Sequence, residues 1–456
     1  MFFLNNTDIG KVFGVQLITS DAMKGAVQLW DSVSTGSPPW LDPEDGIKTV
    51  NMAKRFAAYT ATLTTLGIGV ACDGSARADY IQEKIPKLMT RLREKLIDAE
   101  RVGGMIIKFN GRSWDFVLNG DCGVTAKDDD GQITGAIFAA QATQNGSNYT
   151  RLEYHRFEKD GLYYVSNRAF KNRFGRSDEP DLGKEVPLTE VAEWAEMIPD
   201  TPGIANLDKP LFGYFRVPGS NTTDPDSPLG VAVFADALYE LESIDIAISR
   251  KDGEVKNSKH VTFVGQALVK NAKKKEVKLP SFVVGLGIGL NDTETKAIHE
   301  HVPTILTKDR LDDINFNLSL AGVQCGFSEG VFVMDGQTGV ITATQVESDD
   351  RDTIQTIKHH REALQAAVED AIYGASALMT LYKQAPLGDY ELTFDFDDIT
   401  DSHEEDKQTW LLLVARKIIP AWKYLERFEG FSEDEAKALT AEAAAENKSK
   451  GLFEVE

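Results

Sequence analysis

Two histidines separated by one residue are the side chains of this sequence that most resemble metal ligands. His299 and His301 flank Glu300, and the other neighbouring pair is His359 with His360. On a helix, residues two positions apart lie on different faces, so the two imidazoles would point away from each other. On a strand they could share a face, but no third ligand for a tetrahedral metal site is evident. The residues therefore predict no bound metal and no cofactor.

Glycine-rich and aspartate-rich runs could hold a phosphate or a calcium ion, but neither has the required spacing. Gly285 to Gly289 lacks the third glycine, the helix start and the later acidic residue of a dinucleotide loop. Asp128 to Asp130 precedes Gly131 without the alternating oxygen ligands of a calcium loop, so a hairpin tip is favoured.

No P-loop and no nucleophile elbow occurs in the sequence, so we predict that the protein is not an enzyme. Catalytic triads are recognised by geometry rather than by order along the chain. An acidic cytosolic hydrolase therefore stays open as an alternative.

The chain carries a net charge of -22 over 456 residues. A protein that binds a nucleic-acid backbone tightly uses Lys and Arg to release counterions, so this acidity disfavours a general nucleic-acid binder. Acidity is compatible with a passage through which DNA slides without sticking, and equally with a surface that only keeps the protein soluble.

The cysteines and the apolar segments indicate the compartment. Cys72, Cys122 and Cys325 lie far apart in no disulfide or metal motif, so we expect buried thiols in a reducing environment. No apolar run is long enough to cross a bilayer, and Met1 to Leu4 lacks a basic region before it. We expect a soluble protein, made in the cytoplasm and without a membrane partner.

Hydrophobic periodicity predicts an α+β fold with room for two or three domains. Helical spacing occurs from Ile47 to Leu96, with a turn at Asp73-Gly74, and again from Thr353 to Tyr382. A further helix is predicted to start at Ser227-Pro228 with Pro in the first position. Residues 105–166 contain short runs separated by Asn-Gly and Asp-Gly pairs, which predict antiparallel hairpins. Two later elements are predicted as well: a strand from Tyr390 to Phe396 and a helix opened by a capping box at Ser432 to Glu435.

A series of motifs follows one order along most of the chain. The stretch Thr342-Ala343-Thr344-Gln345-Val346-Glu347-Ser348 precedes the long helical pattern. The other motifs are Trp30 with Trp40, Asn51 to Ala57, Arg101 to Lys108, Leu211 to Arg216, Asn221, Ser227 to Gly230, and Phe394 to Ile399. From Trp30 to about Glu442, this order resembles the portal proteins of tailed bacteriophages, in the branch labelled minor capsid or Gp6-like. Lys256 to Lys308 has no closely matching residues.

The resemblance implies a portal fold that assembles into a ring. It implies a wing at 1–227 with a β region at about 105–166, a stem helix at 228–254, a small α/β clip at 255–308, and a returning stem helix at 309–326. It further implies a tunnel loop at about 335–352, a long channel-side helix and the C-terminal part of the wing within 327–424, and a helical crown at 425–456. Ring closure requires that one surface of each subunit meet a different surface of the next.

The resemblance also implies sites. The DNA-channel candidates in the tunnel loop are Thr342, Thr344, Gln345, Glu347, Asp349, Asp350 and Arg351. Acidic residues at a helix start are also explained by the helix dipole alone, so that alternative stays open. The basic candidates in the clip are Lys270, Lys273, Lys274, Lys275 and Lys278, which could contact DNA or acidic neighbours or form a solvated turn.

The implied function is a head-tail connector in the virion, at one vertex of the capsid, through which the genome is packaged and ejected. The expected partners are further copies of the chain in a ring of twelve, double-stranded DNA, the terminase large subunit, a head-completion or adaptor protein, and the major capsid and scaffold proteins. A capsid-associated assembly protein without a channel is the alternative from another class.

Overall fold

The structure is a computed structural model that describes residues 9–172, 182–258, 261–265, 283–286, 298–301, 307–334, 341–343, 351–397, 410–416, 418–429 and 431–450. Its helices are α1 (Ile9–Val12), α2 (Asp21–Ser34), α3 (Met52–Thr64), α4 (Ala76–Val102), α5 (Leu238–Asn257), α6 (Thr307–Gln324), α7 (Arg351–Leu381), α8 (Ala421–Glu429) and α9 (Glu433–Lys450). Among these described residues, no helix combines the length and the apolar character needed to span a bilayer.

The strands form separate small sheets. They are β1 (Gly69–Gly74), β2 (Gly104–Phe109), β3 (Trp114–Leu118), β4 (Cys122–Lys127), β5 (Ile133–Gln144), β6 (Ser147–Phe157), β7 (Tyr163–Lys171), β8 (Lys184–Val186), β9 (Phe212–Arg216), β10 (Val261–Gly265), β11 (Val283–Leu286), β12 (Ile298–His301), β13 (Phe332–Met334), β14 (Ile341–Ala343) and β15 (Tyr390–Asp395). The sheet orders are β4-β5-β6-β7-β8, β3-β2-β9, β11-β10-β12, β13-β14 and β1-β15. All pairings are antiparallel except β10 with β11, so a mixed α and β fold with antiparallel sheets is confirmed.

Local chemistry explains the β region, where the hairpins predicted at Asn110-Gly111, Asp130-Gly131, Asn145-Gly146 and Asp160-Gly161 are confirmed. The pair Asn119-Gly120 lies instead in a short 3-10 turn that joins strands of two different sheets. Gly131, Gly146 and Gly161 have φ of +81°, +72° and +76°, the left-handed backbone that tight turns require. Asp128 accepts the Gln132 N–H through its side chain, at 2.7 Å, which closes the tip between β4 and β5. The aspartate run is therefore a hairpin tip.

The long helix α7 packs directly on the backbone of β9. A Cβ atom placed on Gly213 would lie 1.9 Å from the carbonyl oxygen of Ala367, and one on Gly374 would lie 2.7 Å from the carbonyl carbon of Leu211. Only glycine permits this approach. The contact seats the predicted long helix, confirmed at Arg351–Leu381, in the main hydrophobic core.

Two sequence-based predictions near the helices are wrong. The chain does not enter a helix at Pro228: residues 229–234 are buried without helical structure, and α5 begins at Leu238. Their polar backbone groups bond elsewhere, since Val233 N–H donates to the Glu100 carbonyl and Gly230 N–H to the Tyr214 hydroxyl. The turn expected at Asp73-Gly74 is the end of strand β1, which pairs with the distant β15.

The helices α5 and α6 pack side by side and run in opposite directions. Arg310, near the start of α6, forms an ion pair with Glu254, near the end of α5. Nine residues before Glu254 in α5, the two oxygens of Asp245 accept hydrogen bonds from Trp40 Nε1 and from the Val50 N–H, at 2.9 Å each. Burial of Asp245 raises the pKa of this carboxyl, and the N–H donors partly offset the shift. The Asp245 side chain therefore holds the 40–50 segment against α5.

Candidate functional site

Of the predicted channel segment at about 335–352, the structure describes residues 341–343 and 351–352. Thr342 lies in β14, where it pairs with Val333, and Arg351 is the first residue of α7. The other tunnel-loop candidates, Thr344, Gln345, Glu347, Asp349 and Asp350, lie outside the described residues, as do the clip candidates Lys270, Lys273, Lys274, Lys275 and Lys278. The described residues thus show how the chain on either side of this segment is held in the fold.

The N-terminal attachment is the strand β13. Asn315 of α6 bonds to both backbone groups of Met334: its Oδ1 accepts the N–H at 2.6 Å and its Nδ2 donates to the carbonyl at 3.3 Å. Phe332 is buried and contacts the Phe56 ring edge-on, with 4.7 Å between ring centroids. The entry to the segment is therefore held by α6 and by the core.

The C-terminal attachment is the first turn of α7. Thr353 Oγ1 accepts the Ser328 N–H at 2.8 Å, and Thr356 Oγ1 donates to the Gly326 carbonyl at 2.7 Å. Gly326 has φ +83°, and a Cβ there would lie 2.7 Å from Thr356 Oγ1. Both ends of the segment are consequently bonded to α6 or to the turn that follows it.

Helix α6 carries two apolar stripes on opposite sides of its cylinder. The inner stripe consists of Ile314, Leu318 and Ala321, and it continues at Cys325 just after the helix; all four residues are buried. The outer stripe follows the same three- and four-residue spacing at Phe316, Leu320 and Val323, with exposed fractions of 67%, 36% and 48%. The outer stripe thus leaves three apolar side chains exposed along one side of α6.

A buried pair joins α7 to α4. His360 Nδ1 lies 2.8 Å from Glu100 Oε1, and both side chains are almost completely buried. Within the described chain, the second oxygen of Glu100 has no hydrogen-bond partner. The pair fixes the long helix to the core about two turns after the predicted channel segment, and it accounts for the burial of His360.

A second charged cluster lies where the two larger sheets meet. Lys108 of β2 donates to Glu153 Oε1 at 2.8 Å, and Arg151 donates to Glu153 Oε2 at 2.8 Å. Arg151, Glu153 and His155 alternate along β6 and so share one face of the sheet. Burial by itself would raise the pKa of the Glu153 carboxyl, but the charges of Lys108 and Arg151 hold it well below its usual range.

His155 completes this cluster as a neutral ring. Its Nε2 lies 2.5 Å from Glu153 Oε1 and its Nδ1 lies 2.9 Å from the Tyr163 hydroxyl. A carboxylate only accepts, so Nε2 carries the proton and Nδ1 accepts from the phenol. Burial lowers the pKa of His155 and outweighs the opposing effect of Glu153. Since both ring nitrogens are occupied, this arrangement leaves no atom to take a proton from a substrate.

Sequence reasoning missed this cluster. Its signal was present, because Arg151, Glu153 and His155 occupy alternate positions of a strand whose other face carries the core residues Leu152 and Tyr154. Charged residues on a face that must be buried require partners from elsewhere in the chain. The partner Lys108 lies in a different sheet and cannot be assigned from spacing.

The histidines that suggested a metal site lie on β12. His299 pairs with Phe263 and His301 with Val261 along β10. In the described part of the chain, no group of three or more His, Cys, Asp or Glu side chains could hold a metal ion. The three cysteines are buried and unpaired, as expected.

The protein has a mixed α and β fold. Helix α6, the turn that follows it and the first turns of α7 hold the chain on either side of the predicted channel segment. No model of a known protein family matches the chain, and no curated protein matches it either. Its function must therefore be argued from its own residues and contacts.

Proposed function

We propose that the chain is the subunit of a phage portal, a ring at one capsid vertex that forms the channel for genome packaging and ejection. In this proposal the ring also binds the terminase large subunit and a head-completion protein. The order of motifs from Trp30 to Glu442 supports it, together with a 31-residue helix that begins after the predicted tunnel loop. The division into wing, stem, clip and crown is part of the proposal.

The observation that carries the proposal is the outer stripe of α6, formed by Phe316, Leu320 and Val323. A ring needs a heterologous interface, in which this surface meets a different surface of the next copy. Burying three large apolar side chains at such a contact is favourable by roughly 25 cal/mol per Å² of apolar surface removed from water. The stripe lies on one of the two helices that the resemblance assigns to the stem.

The net charge agrees with a channel function. With a charge of -22, the chain repels the phosphate backbone on average, so DNA would pass with weak and transient contacts. Strong phosphate binding would instead hold the genome in place.

Native mass spectrometry with negative-stain electron microscopy of the purified full chain tests the proposal. We expect rings with a central hole and a mass of roughly 600 kDa, twelve copies of the 50.2-kDa chain. A monomer or dimer at every concentration, also in the presence of scaffold protein, would contradict the channel function and favour an assembly protein without a channel.

A pair of variants tests whether the outer stripe closes the ring. Phe316→Ser removes the most exposed ring of the stripe, and we expect the ring population to fall while the monomer stays folded. Ile418→Ser is the matched control, because Ile418 is 66% exposed but lies outside α6. Equal ring populations for both variants would place the subunit contact elsewhere.

A further inference from the structure

Strands β1 and β15 form a two-stranded antiparallel sheet in which Cys72 lies opposite Leu392. The Cys72 N–H donates to the side chain of Gln82, in α4, at 2.8 Å, so it points away from β15. Opposite residues in an antiparallel pair either exchange both backbone hydrogen bonds or direct these groups away from each other. The backbone N–H and C=O of Leu392 therefore point to the outer edge of β15, the side away from β1.

This outer edge has no partner strand among the described residues. The direction of the backbone groups repeats at every second residue of a strand, so Tyr390 and Phe394 also direct their N–H and C=O outward. Within the described part of the chain, no hydrogen bond reaches the backbone groups of these three residues from the outer side. An unpaired edge of six residues is a template for a further strand.

The exposed face of this sheet is acidic. Asp73 lies directly opposite Glu391, and Asp395 follows on the same face two positions after Thr393. All three acids are exposed. Like charges directly opposite each other on neighbouring strands are destabilising. A cationic side chain placed beside these carboxylates would offset the repulsion.

The other face of β15 is apolar. Tyr390, Leu392 and Phe394 are half-buried on this face and pack against the main core. A strand added at the outer edge would continue both faces, because side chains alternate along a strand. Half of its side chains would lie beside the apolar residues and the other half beside Glu391 and Asp395. The edge therefore fits a strand in which cationic and apolar residues alternate.

We propose that the outer edge of β15 binds an extended segment of another protein in which Lys or Arg alternates with apolar residues. The segment adds a strand to the sheet, and its backbone pairs with Tyr390, Leu392 and Phe394. Edge-to-edge pairing with a second copy of the chain is disfavoured, because that copy would bring the same acidic residues. The inference does not rest on the proposed function, since β15 belongs to neither α5 nor α6.

Calorimetry on the purified full chain with three capped hexapeptides tests the chemistry of the partner. The first peptide alternates Lys and Val, the second has Pro in place of each Val, and the third has Glu in place of each Lys. Proline keeps the charge of the peptide but removes N–H donors and disfavours strand pairing. We expect the Lys-Val peptide to bind and the other two to bind at least about 10-fold more weakly. Equal affinity for the Lys-Val and Lys-Pro peptides would show charge attraction alone and would overturn the proposal.

A charge variant places the binding on this sheet. Glu391→Lys turns the like-charge pair with Asp73 into a pair of opposite charges, so we expect the thermal midpoint to rise. We expect the same variant to weaken binding of the Lys-Val peptide several-fold, which a loss of folding could not explain. Glu193→Lys is the matched control, because Glu193 is exposed and lies outside this sheet. Equal binding by the two variants would overturn the proposal.

Hydrogen exchange of the full chain identifies the paired edge. We expect the Lys-Val peptide to slow exchange of the Leu392 and Phe394 amides, because their N–H groups become bonded. The Thr393 amide points toward β1 and serves as the internal control. Unchanged exchange of the edge amides would contradict strand addition. Edge amides that are protected in the free protein and lose this protection on dilution would show that a second copy covers the edge, which would also overturn the proposal.

Discussion

Replacing Glu153 by Gln removes the only buried carboxylate that Lys108 and Arg151 share within the described structure. The two cations have exposed side-chain fractions of only 6% and 9%, so water replaces the carboxylate only in part. Removing one partner of a buried ion pair costs about 3–5 kcal/mol. We therefore expect Glu153→Gln to lower the free energy of unfolding by about that amount at neutral pH.

The pH dependence has a definite sign. The depressed pKa of Glu153 gives stability that is complete above its ordinary value of 4.5 and is lost as the pH falls through the folded value. The depressed pKa of His155 adds a similar loss that begins as the pH falls below 6.5. The wild type should therefore lose stability on acidification, and its advantage over Glu153→Gln should shrink below about pH 4.5.

Urea unfolding followed by fluorescence at several pH values measures these differences. Glu158→Gln is the matched control: Glu158 pairs with Arg156 at 2.6 Å but is 45% exposed, so we expect a change within about 1 kcal/mol. If both variants unfold at the same urea concentration at neutral pH, the cluster is solvated and the reasoning is refuted.

Two further variants examine how distant segments are held. Gly213→Ala would place a Cβ 1.9 Å from the Ala367 carbonyl oxygen, so we expect the thermal midpoint to fall, with a cost of about 1–3 kcal/mol or more; Gly25→Ala, which meets no atom within 4 Å, should leave it unchanged or raise it. Asp245→Asn would turn an NH₂ group toward one of two N–H donors, so we expect a loss of about 1–3 kcal/mol at neutral pH. The raised pKa of Asp245 means that its protonated form favours folding, and the wild type should gain stability relative to the variant as the pH falls through the folded pKa. A thermal midpoint of Gly213→Ala equal to that of Gly25→Ala, or a difference for Asp245→Asn that does not change with pH, would contradict these expectations.

Several elements were predictable because their causes are local. The capping box is confirmed, since Ser432 N–H donates to Glu435 and the Glu435 N–H donates back to Ser432 Oγ. The period of the long helix likewise predicted α7 at Arg351–Leu381 within a few residues. The start at Pro228 was wrong because a good helix signal was outweighed by burial, which places the backbone of 229–234 against the Glu100 carbonyl and other distant groups.

The sequence by itself determined the turns, the caps, the periodic helices and the acidic charge, because each depends on backbone preferences or composition within a few residues. The tertiary structure alone decided which distant residues meet. Glu100 and His360 are 260 positions apart, and Lys108 and Glu153 lie in different sheets. Their pairing depends on the path of the whole chain. The same is true of Arg151, whose Nε has no hydrogen-bond partner in the described structure, and of the outer apolar stripe of α6. Burial and exposure are set only when all elements pack together.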